Sequence, residues 1–460
     1  MRFFRDYFKD YKQPGGIRDL LTMALPMMAS SACDGIMTFT DRLFLSRLGP
    51  EYMNAAMGGY VTYLMLTFFF MGLAGYSNAL VAQYYGANQK NKAPIATFQA
   101  LLVVVFAWPL VVLLKPFAAQ LFVGMELPPD QAVLQVQYLD ILVVGSIFTL
   151  LRQVISCYFT GIGRAKIVMY ATVSALIVNV LMDYILIFGH LGFEPMGIKG
   201  AAIATVMGNG VATLYFVIAY FKPANVKEYS VLQSFRFNAD IMKRLLRFGY
   251  PAGLEIFLCF VAFFFMTLMF QSRGSSAATA TSIMFSYDLL SFIPLLGIEI
   301  ATTSLAGRHM GANRPDLAEK TAWSAAKTGL LYSGVVLVLF LGIPETLVRV
   351  FHPDSYDPAF EEAVPLAISM IRIASLYVLA QAVMVALIGT LRGAGDTFYT
   401  MLVSVGANWT FLPMLYLTLY VFKCSVPVGW FVLVVIYLVF CWVMYKRFKT
   451  GKWKLLRMIH

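Results

Sequence analysis

Long apolar runs alternate with short polar segments along the whole chain. A helix needs about 20 mostly apolar residues to cross roughly 30 Å of hydrocarbon. Twelve runs reach that length, and each predicts one transmembrane helix. These spans cover residues 17–46, 53–84, 95–121, 132–159, 167–189, 201–222, 249–271, 279–308, 320–343, 365–389, 398–422 and 428–445. Four internal prolines, Pro26, Pro251, Pro294 and Pro413, predict kinks or local unwinding.

Composition strengthens the membrane interpretation. Hydrophobic residues make up 60% of the 460 residues and charged residues 13%, whereas soluble domains are about 45–50% apolar and about 25% charged. A soluble enzyme is therefore excluded. The 5 cysteines are scattered without metal-type or CxxC spacing, so neither a zinc site nor a disulfide framework is predicted. The predicted fold class is an all-α polytopic membrane protein.

The distribution of charge predicts an orientation. The net charge of +11 comes from 35 Lys and Arg against 24 Asp and Glu. When the N-terminus is placed inside, most of the basic residues fall in the two terminal segments and the inside connections. Because cytoplasmic connections are enriched in Lys and Arg, both termini of this multi-pass inner-membrane protein are predicted to be cytoplasmic. The charge is then a topology signal, and no nucleic-acid partner is expected.

An internal repeat divides the chain into two halves of six spans each. Two sets of positions carry it: Pro26 with Pro251, Gly49 with Gly274, Gly72 with Gly297 and the Gly-Ala-Asn turns 86–88 and 311–313, all 225 residues apart; then the Gly-x-Gly turns 161–163 and 393–395, and Tyr184 with Tyr416, 232 apart. Six spans return the chain to the same side, so the halves are predicted to be parallel and related by a pseudo-two-fold axis along the membrane normal. Parallel repeats are a transporter architecture.

The predicted domains follow from this repeat. Residues 1–221 form an N-lobe with spans one to six, and residues 222–248 form a cytoplasmic linker. Residues 249–460 form a C-lobe with spans seven to twelve and a basic cytoplasmic tail. A monomer is expected, with membrane lipid and small organic substrates as partners.

Acidic residues inside the spans are the first functional candidates, because each buried charge costs at least about 2.5 kcal/mol on insertion scales. Six acids fall there: Asp34, Asp41, Asp183, Glu255, Asp288 and Glu299. A buried carboxyl group can bind either a proton or a cation, and alternating access converts that competition into antiport. The six acids predict an acidic cavity, which favours cationic cargo.

The spacing of these residues groups them on helix faces. Asp34 and Asp41 are two helical turns apart, and Asn179 and Asp183 are one turn apart. Their oxygens are the ligands that a hard cation such as Na+ requires. In the second half, Asp288 and Glu299 are about 16 Å apart along one helix. Glu255 follows Pro251 by one turn.

Several motifs carry a resemblance to a known family. They are Leu25-Pro26 and Thr40-Asp41-Arg42-Leu43-Phe44-Leu45-Ser46-Arg47-Leu48-Gly49 in the first span, Gly161-Ile162-Gly163-Arg164 before the fifth, Asn179-Val180-Leu181-Met182-Asp183-Tyr184 within it, Gly197-Ile198-Lys199-Gly200-Ala201-Ala202-Ile203-Ala204-Thr205 at the sixth, and Leu391-Arg392-Gly393-Ala394-Gly395-Asp396-Thr397 after the tenth. Over essentially the whole chain, the sequence resembles the multidrug and toxic compound extrusion (MATE) family.

The resemblance implies a two-lobed antiporter that exports organic, often cationic, compounds in exchange for H+ or Na+. It implies no further cofactor and no metal other than Na+. In the family an acidic N-lobe site controls a kink of the first helix, and it carries over to Asp41, Asn179, Asp183 and Thr205. Gln381 and Cys259 occupy the positions where some members carry the acids of a C-lobe site. That departure places the chain closer to the N-lobe-coupled bacterial and archaeal members.

Other interpretations stay open at this stage. Asp41 could merely pair with Arg42 or Arg47, and Asn179 with Asp183 could be a structural interhelical pair. Asp34, Glu255, Asp288, Glu299 and Gln381 are candidates for a polar cavity or a substrate site. The chain lacks a G-x-x-x-x-G-K-[ST] loop, so transport is predicted to be secondary and the chain not an enzyme. The alternatives are a flippase of lipid-linked oligosaccharides, which needs a basic cavity, and an intramembrane prenyl transferase, which needs an acidic metal cluster.

Overall fold

The computed structural model describes residues 11, 13–124, 129–352 and 358–459, and the regular structure of these residues is helical, without a strand. The α-helices are α1 (Ile17–Ser46), α2 (Pro50–Gly75), α3 (Ser77–Gly86), α4 (Lys92–Gly124), α5 (Pro129–Gly161), α6 (Ala165–Phe188), α7 (Ile198–Tyr220), α8 (Pro223–Tyr229), α9 (Ala239–Gln271), α10 (Ser275–Gly311), α11 (Pro315–Gly342), α12 (Pro344–Arg349), α13 (Pro358–Ala394), α14 (Thr397–Tyr416) and α15 (Val426–Lys449). Within this part of the chain, 12 helical segments are long and apolar enough to span a membrane. The predicted all-α, twelve-span architecture is confirmed.

The second span differs from its prediction because it consists of two helices, α2 and α3, separated at Tyr76. The carbonyl oxygen of Gly75 accepts a hydrogen bond from the Cys157 thiol, with a donor–acceptor distance of 3.2 Å. The N–H of Ala79, which would bond to Gly75 in a continuous helix, donates instead to Tyr76 O. A tertiary contact therefore interrupts a segment whose apolar pattern is continuous.

The internal prolines do not interrupt their helices. Pro26, Pro251 and Pro294 lie inside α1, α9 and α10, each of which is helical along its whole length. The helices are therefore not unwound at these positions, and the predicted alternative of a kink stays a prediction. After Pro413, α14 passes into a π-helical turn at Leu417–Val421. A proline in a helix removes one hydrogen bond, and neighbouring helices in a membrane protein commonly compensate for it.

The helices form two compact units. The N-terminal unit contains Leu25–Ile256 with Gly311–Asn313 and Met458, and the C-terminal unit contains Phe257–Met310 and Arg314–Arg457 together with the residues before Leu25. The structure therefore changes units within α9, at Ile256, and groups the predicted linker 222–248 with the N-terminal unit. The division into an N-lobe, linker and C-lobe at 221 and 249 stays a prediction.

Each unit has its own apolar core. In the N-terminal unit, the core includes Leu45, Val111, Leu139, Val143 and Ile198, and all except Val143 come from different helices. In the C-terminal unit, Met284, Met370, Ile371, Leu415 and Leu433 belong to another buried cluster. Close packing of this kind holds the helices in fixed relative positions. A site assembled from side chains of several helices requires such fixed positions.

The short helix α8, which the sequence does not predict, lies in the linker and is held by an ion pair cluster. Glu228 accepts hydrogen bonds from Lys90 at 2.9 Å and from Arg164 at 2.8 Å. The Lys90 hydrogen bond holds the pKa of the Glu228 carboxyl group below its usual value, and the pKa of Lys90 is raised by the same contact. The cluster connects α8 to the turns that precede α4 and α6.

Candidate functional site

Asp41, near the end of α1, lies at the centre of a polar cluster in the N-terminal unit. Its side chain is buried. Asn179 of α6 donates a hydrogen bond to Asp41 Oδ1 at 3.2 Å, and the Thr205 hydroxyl of α7 donates one to Asp41 Oδ2 at 2.9 Å. Both carboxylate oxygens of Asp41 are therefore oriented by side chains from other helices, and three of the four predicted coupling residues are in direct contact.

The fourth predicted residue, Asp183, is 0% exposed and lies behind Asp41. The carboxyl groups of Asp41 and Asp183 lie within hydrogen-bonding range of each other. No described group donates a hydrogen bond to either oxygen of Asp183 or to Asn179 Oδ1. Two ionised carboxylates in contact offer only acceptor oxygens and repel each other. A shared proton would supply a hydrogen bond between them, and a bound cation would neutralise their charge.

The packing of α1 against α6 explains why these two acids meet. Ser30 and Thr172 form a buried hydrogen bond across the two helices at 2.7 Å. Asp41 and Asp183 each follow those residues by eleven positions, or about 16 Å of helix. Because α1 and α6 run parallel, residues that face each other at one level face each other again three turns later. The contact between Ser30 and Thr172 therefore places Asp41 opposite Asp183.

A glycine allows α7 to approach α6 closely. A Cβ atom at Gly208 would lie 3.0 Å from the carbonyl oxygen of Ala175 and 3.2 Å from Cβ of Asn179. Gly208 is three residues after Thr205, so the close contact brings the hydroxyl of Thr205 and the amide of Asn179 to the same carboxylate. The site therefore depends on a small residue that contributes no polar atom.

A cavity of about 250 Å³ adjoins this cluster within the N-terminal unit. Asp41 forms part of its wall, whereas Asn179 and Asp183 do not. The wall also includes three tyrosines and two methionines, Tyr60, Tyr63, Tyr138, Met37 and Met71, among small, polar and apolar side chains. An ion or substrate in the cavity can contact Asp41 directly and reaches Asp183 only past it.

The charge of this cavity differs from the prediction. Asp34 also lines it, but so do Arg42 and Arg152. The predicted acidic cavity is therefore wrong for the N-terminal unit, whose cavity wall carries two aspartates and two arginines. The sequence shows which acids lie inside the spans, but it does not show that Arg42 and Arg152 face the same cavity as Asp34 and Asp41.

Arg152 is a site residue that the sequence reasoning missed. Its guanidinium group forms an ion pair with Asp34 and donates a second hydrogen bond to Asn209 Oδ1 at 2.8 Å. Asn209 in turn donates to the backbone carbonyl oxygen of Thr205 at 3.0 Å. A continuous polar chain thus connects Asp34 to the residue that orients Asp41. The position of an arginine inside the fourth predicted span was the available signal.

The other predicted cavity residues lie elsewhere. Glu255 of α9 is buried in the N-terminal unit and does not line this cavity. In the C-terminal unit, Asp288 accepts a hydrogen bond from the Tyr377 hydroxyl, and Glu299 forms an ion pair with Arg392. Gln381, one turn after Tyr377 on α13, is buried with no described donor to its Oε1 atom.

The donor set allows a test of which ions fit. Within the described part of the chain, no group of three or more His, Cys, Asp or Glu residues could hold a metal ion. Asp41 and Asp183 supply carboxylate oxygens, Asn179 supplies an amide oxygen without a donor, and Thr205 supplies a hydroxyl oxygen. This set suits a shared proton or a monovalent cation such as Na+, which accepts neutral oxygen ligands.

Comparisons with known proteins agree with the fold and the repeat. The MatE family model matches residues 26–185 and 251–417, so the matched segments begin 225 residues apart, as the internal repeat does. The chain is 22% identical over 455 residues to the probable multidrug resistance protein NorM of Thermotoga maritima, covering 98% of this chain and 96% of that protein. It is 26% identical to the multidrug resistance protein PmpM of Pseudomonas aeruginosa, covering 85% and 82%.

A solved structure has the same fold. A MOP superfamily transporter from Pyrococcus furiosus matches with a TM-score of 0.86 and 20% identity, covering 95% of this chain and 96% of that chain. That protein is described as having a binding pocket of reverse polarity that suggests a different function.

Proposed function

The chain belongs to the MatE family of multidrug efflux transporters, and we propose that it couples the export of organic compounds to the entry of H+ or Na+. The coupling ion binds between Asp41 and Asp183, assisted by Asn179 and Thr205. The substrate is a cationic or amphipathic compound, and the transporter is a secondary antiporter of the inner membrane without an enzymatic activity or an organic cofactor.

One observation carries this proposal: two buried carboxyl groups face each other, and neither oxygen of Asp183 nor the neighbouring Asn179 Oδ1 has a donor among the described groups. Leaving both carboxylates charged and in contact inside a low-dielectric region is strongly unfavourable. A proton or a cation removes that repulsion, and the site therefore binds one of them. Asp41, at the cavity wall, is the residue at which the ion enters, and Asp183 is the buried half of the pair.

Competition at Asp41 supplies the coupling. A positively charged substrate in the cavity stabilises the charged form of Asp41, whereas a proton or Na+ neutralises the same carboxylate. The two ligands therefore weaken the binding of each other, and by linkage the effect is reciprocal. If the binding of each ligand permits the change of access, exchange of one for the other across the membrane follows.

The cavity wall also bears on the class of substrate. Tyrosine and methionine side chains adapt to varied shapes, which suits a promiscuous transporter. The equal numbers of aspartate and arginine side chains do not give the basic excess that a flippase would need for a pyrophosphate group. This wall favours an amphipathic compound with one charged group over a polyanionic lipid.

The test compares Asp41→Asn with Asp140→Asn in proteoliposomes that contain an organic cation dye. Asp140 lies in the same span as Arg152, pairs with Lys115 at 2.9 Å and does not line the cavity, so it is a matched control. A proton gradient or a Na+ gradient is imposed separately, which identifies the coupling ion. We expect Asp41→Asn to lose gradient-driven efflux and Asp140→Asn to retain it.

A second measurement tests competition directly. In weakly buffered detergent solution, addition of substrate to the wild-type protein should release protons, or bound Na+ if sodium is the ion, and Asp41→Asn should release neither. Gradient-driven efflux by a well-folded Asp41→Asn variant at the wild-type rate would overturn the proposal.

A further inference from the structure

One charged side chain on the wall of the cavity beside Asp41 has no role in the coupling described above. Arg42 lines this cavity together with Asp34, Asp41 and Arg152. Asp34 and Arg152 form an ion pair, and both carboxylate oxygens of Asp41 accept hydrogen bonds. Within the described part of the chain, the Arg42 side chain forms no ion pair and donates no hydrogen bond. Three of the four charged groups are therefore held by protein partners, and the guanidinium group of Arg42 is not.

The position of Arg42 directs its charge at the cavity. Its guanidinium group acts electrostatically on the side chains of Asp41, Tyr60 and Tyr138, all of which line the cavity. Arg42 is only partly exposed, so it has lost some of its contact with water. An anion that reaches Arg42 is therefore less screened by water than an anion at a fully exposed arginine.

The chemistry of arginine points to a carboxylate as the ligand of Arg42. A guanidinium group carries five N–H donors in one plane and no acceptor, and two of these donors can bond a carboxylate in parallel. A phosphate with two charges would meet more repulsion from Asp34 and Asp41 than a carboxylate with one charge. The oxygens of Asp41 already accept hydrogen bonds from α6 and α7. The carboxylate for Arg42 is therefore expected from a molecule inside the cavity.

Asp41 supplies the opposite charge beside Arg42. The two residues are consecutive in α1, so their side chains leave the helix about 100° apart, and both line the same cavity. A carboxylate has about four lone-pair sites, so Asp41 can accept a further hydrogen bond from a ligand. Tyr60 and Tyr63 line the cavity as well, with ring centroids 6.0 Å apart. The wall thus combines a positive group, a negative group and an aromatic surface.

We propose that the substrates include zwitterionic compounds of the amino-acid type, in which Arg42 binds the carboxylate and Asp41 binds the neighbouring ammonium group. The apolar side group of the compound packs against Tyr60 and Tyr63. This inference rests on the proposed function and adds an anionic group to the cationic substrate considered there. The ammonium group still meets the carboxylate that binds the coupling ion, so the competition at Asp41 is kept. Arg42 then decides whether an anionic group next to the amine is accepted.

The experiment compares two ligands that differ in one group. Naphthylalanine and its carboxamide have almost the same shape, and both carry an α-ammonium group at a pH of about 6, but only the first carries a carboxylate. Their equilibrium binding to the full-length protein in detergent is measured by calorimetry, without an ion gradient. A charge-assisted hydrogen bond to a partly exposed arginine contributes about tenfold in affinity. We therefore expect naphthylalanine to bind more tightly than its amide by about that factor.

Three arginine variants make the test specific. Arg42→Gln should bind the two ligands with affinities within about twofold of each other, because the acid then loses the partner that the amide never had. Arg42→Lys keeps the charge without the paired donors and should keep part of the preference. The matched control is Arg47→Gln, because Arg47 directly follows α1, is exposed and does not line the cavity. This control should keep the full preference for the acid.

Three results would overturn the proposal. The first is equal affinity of the wild type for the two ligands, and the second is a preference that Arg42→Gln retains. The third is free acetate that raises the affinity for the amide to that for the acid, because the anion would then be a separate ligand. Melting curves check that the variants are folded.

These outcomes are separate from the test of coupled efflux, because binding is measured without a gradient. A wild type that loses dye efflux through Asp41→Asn and shows no preference for the acid would overturn only the zwitterionic substrate.

Discussion

Replacing Arg152 by glutamine should make the transporter bind organic cations more tightly. In the wild type the guanidinium group already occupies Asp34, and a positively charged substrate must compete with it for that carboxylate. The variant removes the competitor and leaves Asp34 available to the cavity. Loss of this ion-pair contact is therefore expected to improve binding of the cation.

The magnitude follows from how exposed the pair is. At an effective dielectric constant of about 20 and a separation of about 4 Å, the gross attraction is about 4 kcal/mol. The Arg152 side chain is 15% exposed and that of Asp34 is 45% exposed, so solvent screening and desolvation reduce the net value to about 1–2 kcal/mol. That range corresponds to a dissociation constant about 5-fold to 30-fold lower for a monocation.

The assay is equilibrium binding of a fluorescent monocation to purified protein at fixed pH and low ionic strength. Asp34→Asn should weaken binding. Arg152→Gln should improve cation binding less in the Asp34→Asn background than in the wild type, because the part of its effect that passes through Asp34 is then lost, whereas the hydrogen bond of Arg152 to Asn209 is independent of Asp34. A neutral analogue of the same shape should show no change in any variant. Weaker binding of the cation by Arg152→Gln than by the wild type would refute the reasoning.

Two further predictions concern packing and pH. Gly208→Leu should lower the melting temperature and abolish ion-coupled efflux, because the leucine side chain must displace Ala175 or Asn179 at a cost of about 1–3 kcal/mol. Gly208→Ala should lower the melting temperature by less. Equal melting temperatures of both variants and the wild type would contradict the close packing of α7 against α6. Glu228→Gln should lower the melting temperature at pH 7 by less than about 2 °C, since the cluster is partly exposed. Because the pKa of Glu228 is lowered by Lys90, this stabilisation is present above the usual carboxyl pKa and disappears as the pH falls through the lowered value. A difference in melting temperature that does not shrink as the pH is lowered through the acid range would contradict it.

The contrast between what the sequence predicts and what it misses has a physical cause. The twelve spans and the acids within them follow from hydropathy and from the cost of a charge in lipid, and both are local properties. The pairing of Asp34 with Arg152 and the break at Tyr76 depend on contacts between helices distant in sequence. Local patterns carry no information on such pairs. For that reason the sequence predicts the acids within the spans correctly but predicts the wrong charge for the cavity that Asp34 and Asp41 line.

The repeat explains why the two units differ in chemistry although they share a fold. Adding 225 to Asp41 gives Met266, and adding 232 to Asn179 and Asp183 gives Phe411 and Leu415. All three equivalents are buried in one apolar cluster of the C-terminal unit.

At that level of the repeat, the same arrangement of helices holds a polar site in one half and a hydrophobic core in the other. The apolar version is what membrane packing favours by default, since a buried carboxyl pair costs stability unless an ion is bound. The polar version therefore requires a separate reason to persist, and the ion exchange proposed at Asp41 and Asp183 would provide one. The C-terminal carboxyls, Asp288 and Glu299, lie on the second helix of their half, so they are not the repeat counterparts of this pair.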